Sequence, residues 1–164
     1  MSETNAAYGV APCETLRSLT GLEFFRRICD GQLPQAPIAE IMRFGMVDAR
    51  EGFTAFEGTP AANFYNPIGS VHGGWFGILL DSCRGCAVQT TLEQGSGYTT
   101  VEYSINLVRA IDDRTGPVHA EGHAHRGRRL ATAEGRLCDR HGRLLAHGTT
   151  TCMIMPLPQV EETG

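Results

Sequence analysis

The sequence predicts an α+β domain in which a curved antiparallel sheet wraps around one buried helix. Three observations carry this expectation. From Trp75 to about Leu92 the chain runs without proline or paired glycines, and Trp75, Phe76, Ile78, Leu79, Leu80, Cys83, Cys86, Ala87 and Val88 fall on nearly every face. A helix that is apolar all round is a buried one. After Gly95-Ser96-Gly97 the period changes to two, with Val101, Tyr103, Ile105 and Leu107 alternating with Thr100, Glu102, Ser104 and Asn106, as in a half-buried strand. The remainder divides into strand-length pieces separated by short turn signals, which suit antiparallel hairpins. Packing a sheet on a single helix is the economical way to bury both.

In chain order, Thr20 and Glu23 form a capping box ahead of Leu22, Phe24, Phe25 and Ile28, so a short amphipathic helix is expected there, stopped by Gly31 and Pro34. It belongs to an N-terminal helical extension over about 1–34 of a single domain spanning 1–164. Ile41 to Ala49 and Gly52 to Gly58 read as two strands, either separate or halves of one bent element. Asn66-Pro67-Ile68-Gly69 is a turn signal, followed by His72-Gly73-Gly74 at the mouth of the buried helix. Beyond the alternating strand, three more are expected: Gly116 to His125, Arg128 to Cys138 and Leu144 to Met155. Turns at Asp112 to Gly116, Arg126-Gly127 and Asp139 to Gly142 separate them.

Composition narrows the function classes. The 164 residues, 41% hydrophobic and 20% charged, describe a globular chain with a core. A formal net charge of −4 and a sequence pI of about 5.8 argue against a nucleic-acid partner. Met1 to Pro12 has neither a basic segment nor an apolar one, and the apolar stretch Trp75 to Leu80 is far too short to span a bilayer. The expectation is a cytoplasmic protein with no membrane partner. Cys13, Cys29, Cys83, Cys86, Cys138 and Cys152 are scattered, as free thiols in a reducing compartment would be.

Asp81 is the strongest chemical signal. It lies mid-way along the apolar helix, where an unpaired carboxylate is costly and so has either a polar partner or a function. At the start of the same helix, the amides of His72-Gly73-Gly74 have no partners within the helix and sit at the positive end of its dipole. Such amides hold a developing oxyanion, and glycine lets a carbonyl approach them closely. Two other patterns are given bland readings. Cys83-Arg84-Gly85-Cys86 has no second pair at zinc-site spacing and reads as packing thiols. His119, Glu121, His123 and His125 share one face of a strand but diverge more than a tetrahedral metal site requires, so they read as a solvated face.

Asn66-Pro67-Ile68-Gly69-Ser70-Val71-His72-Gly73-Gly74 with Asp81 resembles the signature of hotdog-fold thioesterases of the PaaI type. The resemblance continues through Gly97 to Glu102, His125 to Arg128 and Ala133 to Leu137, and covers about Leu22 to Met155. It implies a hotdog fold and hydrolysis of an acyl-coenzyme A thioester to free acid and coenzyme A. By the same resemblance Asp81 is nucleophile or general base, and the Gly73 amide is the oxyanion donor. Asn66 orients water or the leaving thiol, and His72 shapes the loop. Thr100 places a hydroxyl near the acid, with Thr99 as the alternative one register away. Arg126, Gly127 and Arg128, with Arg129 beside them, are candidates to grip the coenzyme A phosphates, against the reading of a solvated turn; Arg109 is a further cation. No metal or redox cofactor is implied. The alternatives are a non-catalytic acyl-coenzyme A binding module and a hotdog hydratase or dehydratase. Trp75, Phe76 and Tyr65 line an aryl or medium-chain pocket or simply belong to the core.

Gly73 and Asp81 are eight residues apart, about 12 Å along a helix axis, whereas reacting groups meet within about 3–3.5 Å. Active sites shared across a homodimer, with Asp81 of one chain facing Asn66 and Gly73 of the other, are therefore expected. The resemblance adds a pairing of dimers into tetramers.

Overall fold

The structure, a computed structural model, describes residues 8–157. Three short helices, α1 (Cys13–Ser18), α2 (Gly21–Cys29) and α3 (Pro37–Met42), precede β1 (Phe44–Arg50) and β2 (Phe53–Gly58). The long helix α4 (Gly73–Gln89) follows. Then come β3 (Ser96–Tyr103), β4 (Asn106–Leu107), β5 (Val118–Arg126), β6 (Leu130–Asp139) and β7 (Leu144–Pro156). The strands form one antiparallel sheet in the order β1-β2-β5-β6-β7-β3, with β4 also paired to β7. This is the α+β hotdog architecture expected from the sequence.

The expected capping box is present: Glu23 N donates to Thr20 Oγ1 at 3.2 Å, and Thr20 N donates to Glu23 Oε2 at 2.8 Å. The expected start of β1 at Ile41 is not found. Pro37, whose fixed φ suits the first position of a helix, opens α3, and Ile41 lies inside it. Arg43 then takes a left-handed conformation (φ 54°) that turns the chain into β1.

Helix α4 lies on the inner face of the sheet, with Leu79, Leu80, Cys83, Ala87 and Val88 wholly buried. The sheet comes close enough to require glycine. Gly122, Gly135 and Gly148 are cross-strand neighbours on β5, β6 and β7. A Cβ on Gly122 would run into the Cys83 carbonyl of α4, and one on Gly135 would stand 2.9 Å from the Arg84 side chain.

The strand after Gly97 departs most from its expected pattern. Val101, Tyr103 and Leu107 are exposed, and of the four alternating apolar residues Ile105 alone is partly buried. Two irregularities cause this. The register of β3 on β7 shifts between Thr100 and Glu102, a bulge that leaves Val101 unpaired. The strand then breaks at Ser104-Ile105 before resuming as β4. Beyond the break, Ile105 and Leu107 fold over the first turns of α4, so that a Cβ on Gly77 or Gly73 would stand 3.1 Å from the one and 2.8 Å from the other.

Candidate active site

Asp81 projects from the middle of α4 toward the β3 end of the sheet. It lines a cavity of about 440 Å³ with Thr100, Val101, Glu102 and Tyr103. The side chain is half-buried, yet its Oδ1 is wholly buried with no hydrogen-bond partner among the described residues. Burial pushes the carboxyl up from its ordinary range, and the nearby charge of Arg84 pulls in the opposite direction. A carboxylate that no described residue satisfies is chemically able to accept a proton or to attack.

Thr100 lies on the helix-facing side of β3, and Thr99, its neighbour, is exposed. The Thr100 hydroxyl is 3.9 Å from Cys152 Sγ, a loose contact that leaves it available to the cavity. Of the two candidates, Thr100 is therefore the one beside Asp81.

Asn66, His72 and Gly73 gather elsewhere, on the loop that leads into α4. Asn66 Oδ1 accepts from the amides of Ile68 (3.1 Å) and Ser70 (3.3 Å), and its Nδ2 donates to Ser70 Oγ at 3.0 Å. The side chain thus organises its own loop while one Nδ2 proton is left over. Gly69, at φ 91°, closes that loop. His72 is the N-cap: its Nδ1 accepts from Gly74 N at 2.8 Å, which places the proton of the neutral ring on Nε2. With the Gly74 amide occupied in this way, the Gly73 amide has no partner among the described residues. A cleft of about 330 Å³ opens beside it, lined by Met42, Phe64, Tyr65, His72, Trp75 and Ile78 among others. Tyr65 and Trp75 thus border this cleft, whereas Phe76 is core. Trp75 is itself deeply buried, and its Nε1 donates to Met42 O at 2.9 Å.

A single chain therefore keeps the two groups apart: the unengaged amide with its cleft and the acid with its hydroxyl lie about 12 Å from each other along α4. No residue of the first lines the cavity of the second.

The arginine turn lies along the sheet from Thr100. Arg126, Ala131, Cys152 and Thr100 are successive partners across four strands, and three strand spacings of about 4.8 Å place Arg126 roughly 14 Å away. Arg126 Nη1 donates to Thr91 O at 2.7 Å, which ties the turn to the end of α4. The Gly127 amide is occupied by Leu130 O at 2.9 Å. Arg128 and Arg129 are exposed, as is Arg109 on the loop after β4.

The patterns read as bland have specific local partners. His119 lies 3.4 Å from Glu121, whose other oxygen pairs with Arg136 at 3.0 Å. Cys83 is buried and its thiol is pushed up to about 12 by that burial, and burial likewise raises Cys86. Arg84, to which the sequence reading gives no role beyond the interior of a Cys-x-x-Cys, is wholly buried. The available signal was a cation three residues after Asp81 on a helix otherwise apolar all round.

The family model of the thioesterase superfamily matches residues 68–146, from the loop before α4 into β7. No curated protein sequence matches the chain. Among solved structures, a candidate thioesterase of Ralstonia eutropha, a phenylacetic acid degradation-related protein, is 27% identical with a TM-score of 0.71; the match covers 79% of this chain and 98% of that one. A conserved protein of Pseudomonas aeruginosa is also 27% identical, with a TM-score of 0.67 and coverage of 73% and 94%. A Streptococcus mutans protein solved with acetyl-coenzyme A is 22% identical, with a TM-score of 0.64 and coverage of 71% and 92%. The family match and these likenesses support a hotdog-fold protein of the thioesterase superfamily, similar to the PaaI type, and thioester hydrolysis in general is the chemistry they support.

Proposed function

We propose that the chain hydrolyses acyl-coenzyme A thioesters at active sites shared between two copies of itself. The observation that carries this reading is the Asp81 carboxylate, held half-buried and unsatisfied beside Thr100. In one form of the reaction Asp81 takes a proton from water as the water oxygen attacks the thioester carbonyl. In the other Asp81 attacks directly, and water then hydrolyses the mixed anhydride. In both, the carbonyl oxygen gathers negative charge against the Gly73 amide at the positive end of α4. The carbon–sulfur bond then breaks, and coenzyme A leaves as the thiol after taking up a proton. Asn66 and Thr100 orient the water or the leaving sulfur. The acetyl-coenzyme A bound by the Streptococcus mutans protein supports the substrate class. Arg128, with Arg126, offers guanidinium groups for the phosphates.

The edge of the sheet supports the assembly. β3 ends the strand order, and it exposes Val101 and Tyr103 along an unpaired edge that continues to Leu107 and Val108. An open edge carrying apolar side chains is a template for pairing. Two antiparallel copies of α4 would bring Asp81 of each chain to Asn66 and Gly73 of the other, with a further pairing of dimers.

Hydrolysis of a panel of acyl-coenzyme A esters, read by thiol release, tests the activity, and Asp81→Asn tests its centre. The variant should keep the fold and lose about 10²–10⁴-fold in kcat. Activity within a few-fold of wild type would remove Asp81 from the mechanism. Mixing Asp81→Ala and Asn66→Ala chains tests the sharing: after subunit exchange each mixed dimer holds one intact site and should regain about half the activity. No recovery despite verified exchange would rule out the shared site.

A further inference from the structure

Asp81 Oδ1 and Arg84 Nη2 are the two buried side-chain polar atoms without a hydrogen-bond partner among the described residues, and they lie three positions apart on α4. Unsatisfied buried groups are rare in folded proteins, and each calls for a reason. No ion pair within 4.0 Å joins these two residues, so neither satisfies the other by contact.

Arg84 is wholly buried and held on three sides. Its Nε donates to Leu80 O at 2.7 Å, and its Nη1 donates to Ser104 O at 3.0 Å and Thr149 O at 2.9 Å. Its side chain crosses Gly135 and Gly148, where a Cβ would stand 2.9 Å from Cγ and 2.7 Å from Nη1 respectively. Its Cζ lies 5.7 Å from the centroid of the Tyr103 ring, and Tyr103 also lines the Asp81 cavity. Every acceptor is a backbone carbonyl, so the cation is fixed without being neutralised.

We propose that Arg84 is a positioning residue for the reaction at Asp81: clamped over the glycine row, its guanidinium is the fixed countercharge that keeps the half-buried carboxylate ionised, and it holds the edge-strand break at Ser104 beside that carboxylate. The inference rests on the reading of Asp81 as the reactive acid. The groups facing Asp81 leave Arg84 this task. On α4 these are Cys83 and Cys86, both raised by burial; on β3 they are Tyr98, also raised by burial, together with Glu102 and Tyr103; on β7 there is Cys152, again raised by burial. The raised thiols and the Tyr98 phenol are neutral near pH 7, and neither Glu102 nor Tyr103 can supply a positive charge. Arg84 is therefore the cation among them.

The sign follows. An opposite charge favours the ionised acid, so removing Arg84 makes Asp81 harder to ionise and moves its titration to higher pH. The test compares Arg84→Met, Arg84→Gln and Arg84→Lys with wild type and with Asp81→Asn. Folding is checked by circular dichroism. The Asp81 carboxyl is titrated by carbon-13 NMR on aspartate-labelled protein, with Asp81→Asn assigning the signal. The pH profile of kcat is taken on the best-cleaved ester of the panel. The titration midpoint and the acid limb of kcat should both rise by about one unit in the Met and Gln variants, the low end of what a nearby opposite charge does without direct contact, with KM changed less than twofold. Lys should restore most of the wild-type position. A folded Met or Gln variant that titrates like wild type overturns the proposal. So does failure of both uncharged variants to fold while Lys folds, since that would make Arg84 purely structural. If Asp81→Asn remains active while the NMR midpoint still moves, the countercharge stands and the reading of Asp81 as the reactive acid falls.

Discussion

The spacing between α4 and the sheet can be tested by adding one methyl group. In Gly122→Ala the new Cβ would stand 2.8 Å from Arg84 N, at least 0.6 Å short of the 3.4 Å at which ordinary contact begins, and the Cys83 carbonyl would be closer still. Both obstacles are backbone, so no side-chain rotation relieves them. The helix must back away around Cys83, straining the 2.6 Å hydrogen bond from Thr54 Oγ1 to Cys83 O. Overpacking of this kind costs about 1–3 kcal/mol, a fall of roughly 2–12 °C in Tm at about 2–4 °C per kcal/mol for a chain of this size. Because Asp81 lies two residues from Cys83, the shift also reaches the acid, and a misplacement of about 1 Å can cost 10²-fold in rate. Urea denaturation at constant m measures the first effect, and kcat on the best acyl-coenzyme A ester measures the second. Gly31→Ala is the control: its φ of 70° strains an alanine, but nothing lies within 4 Å of the new methyl. It should lose some stability and no activity. A Gly122→Ala protein within 0.5 kcal/mol of wild type and fully active would refute the close approach of helix and sheet.

Arg128→Ala should raise KM for coenzyme A esters several-fold while leaving a short thioester without the nucleotide unaffected; equal effects on both would favour a solvated turn. Arg126→Ala should in addition lower stability, because its bond to Thr91 O anchors the end of α4. Burial pushes the Asp139 carboxyl up, but hydrogen bonds from the Arg143 amide and side chain and from the His141 amide bring it down to about 2. A folded pKa below the unfolded value of about 3.9 means stability that is present above pH 4 and lost as pH falls toward 2. Acid unfolding of Asp139→Asn, followed by circular dichroism, should therefore lack the part of the wild-type transition that falls in this window.

The parts of the fold legible in the sequence are those where one local signal dominates. α4 was visible because its apolar residues leave no polar face, and the hairpins β5-β6 and β6-β7 because turn residues punctuate them. α3 was missed because six residues, Pro37 to Met42, are too few to show a helical period, and Ile41-Met42 reads equally well as the start of a strand. The buried face of β3 was misjudged because a bulge and a break depend on what the strand packs against, and alternation counts residues without registering either. Asp81 stood out as an acid in an apolar helix, and its separation from Gly73 followed from helical rise alone. The row Gly122, Gly135 and Gly148 was readable in principle, since the three residues are spaced thirteen apart through a meander. Its meaning became visible only once the strand registers aligned them against Arg84.

The cost of that arginine bears on why it is there. An apolar side chain of similar volume often serves stability as well as a buried ion does, or better. Replacing Arg84 by Met would leave Ser104 O without its guanidinium donor. Thr149 O would keep the Ser104 amide at 2.9 Å, and Leu80 O would keep the ordinary helical bond to the amide of residue 84. The orphan Nη2 would disappear altogether. Packing and hydrogen bonding therefore favour the cation only weakly, while two aligned glycines, Gly135 and Gly148, and a broken edge strand make room for it. A group retained on such terms, three residues from an unsatisfied carboxylate, is better explained by what it does to that carboxylate's charge than by what it adds to the core.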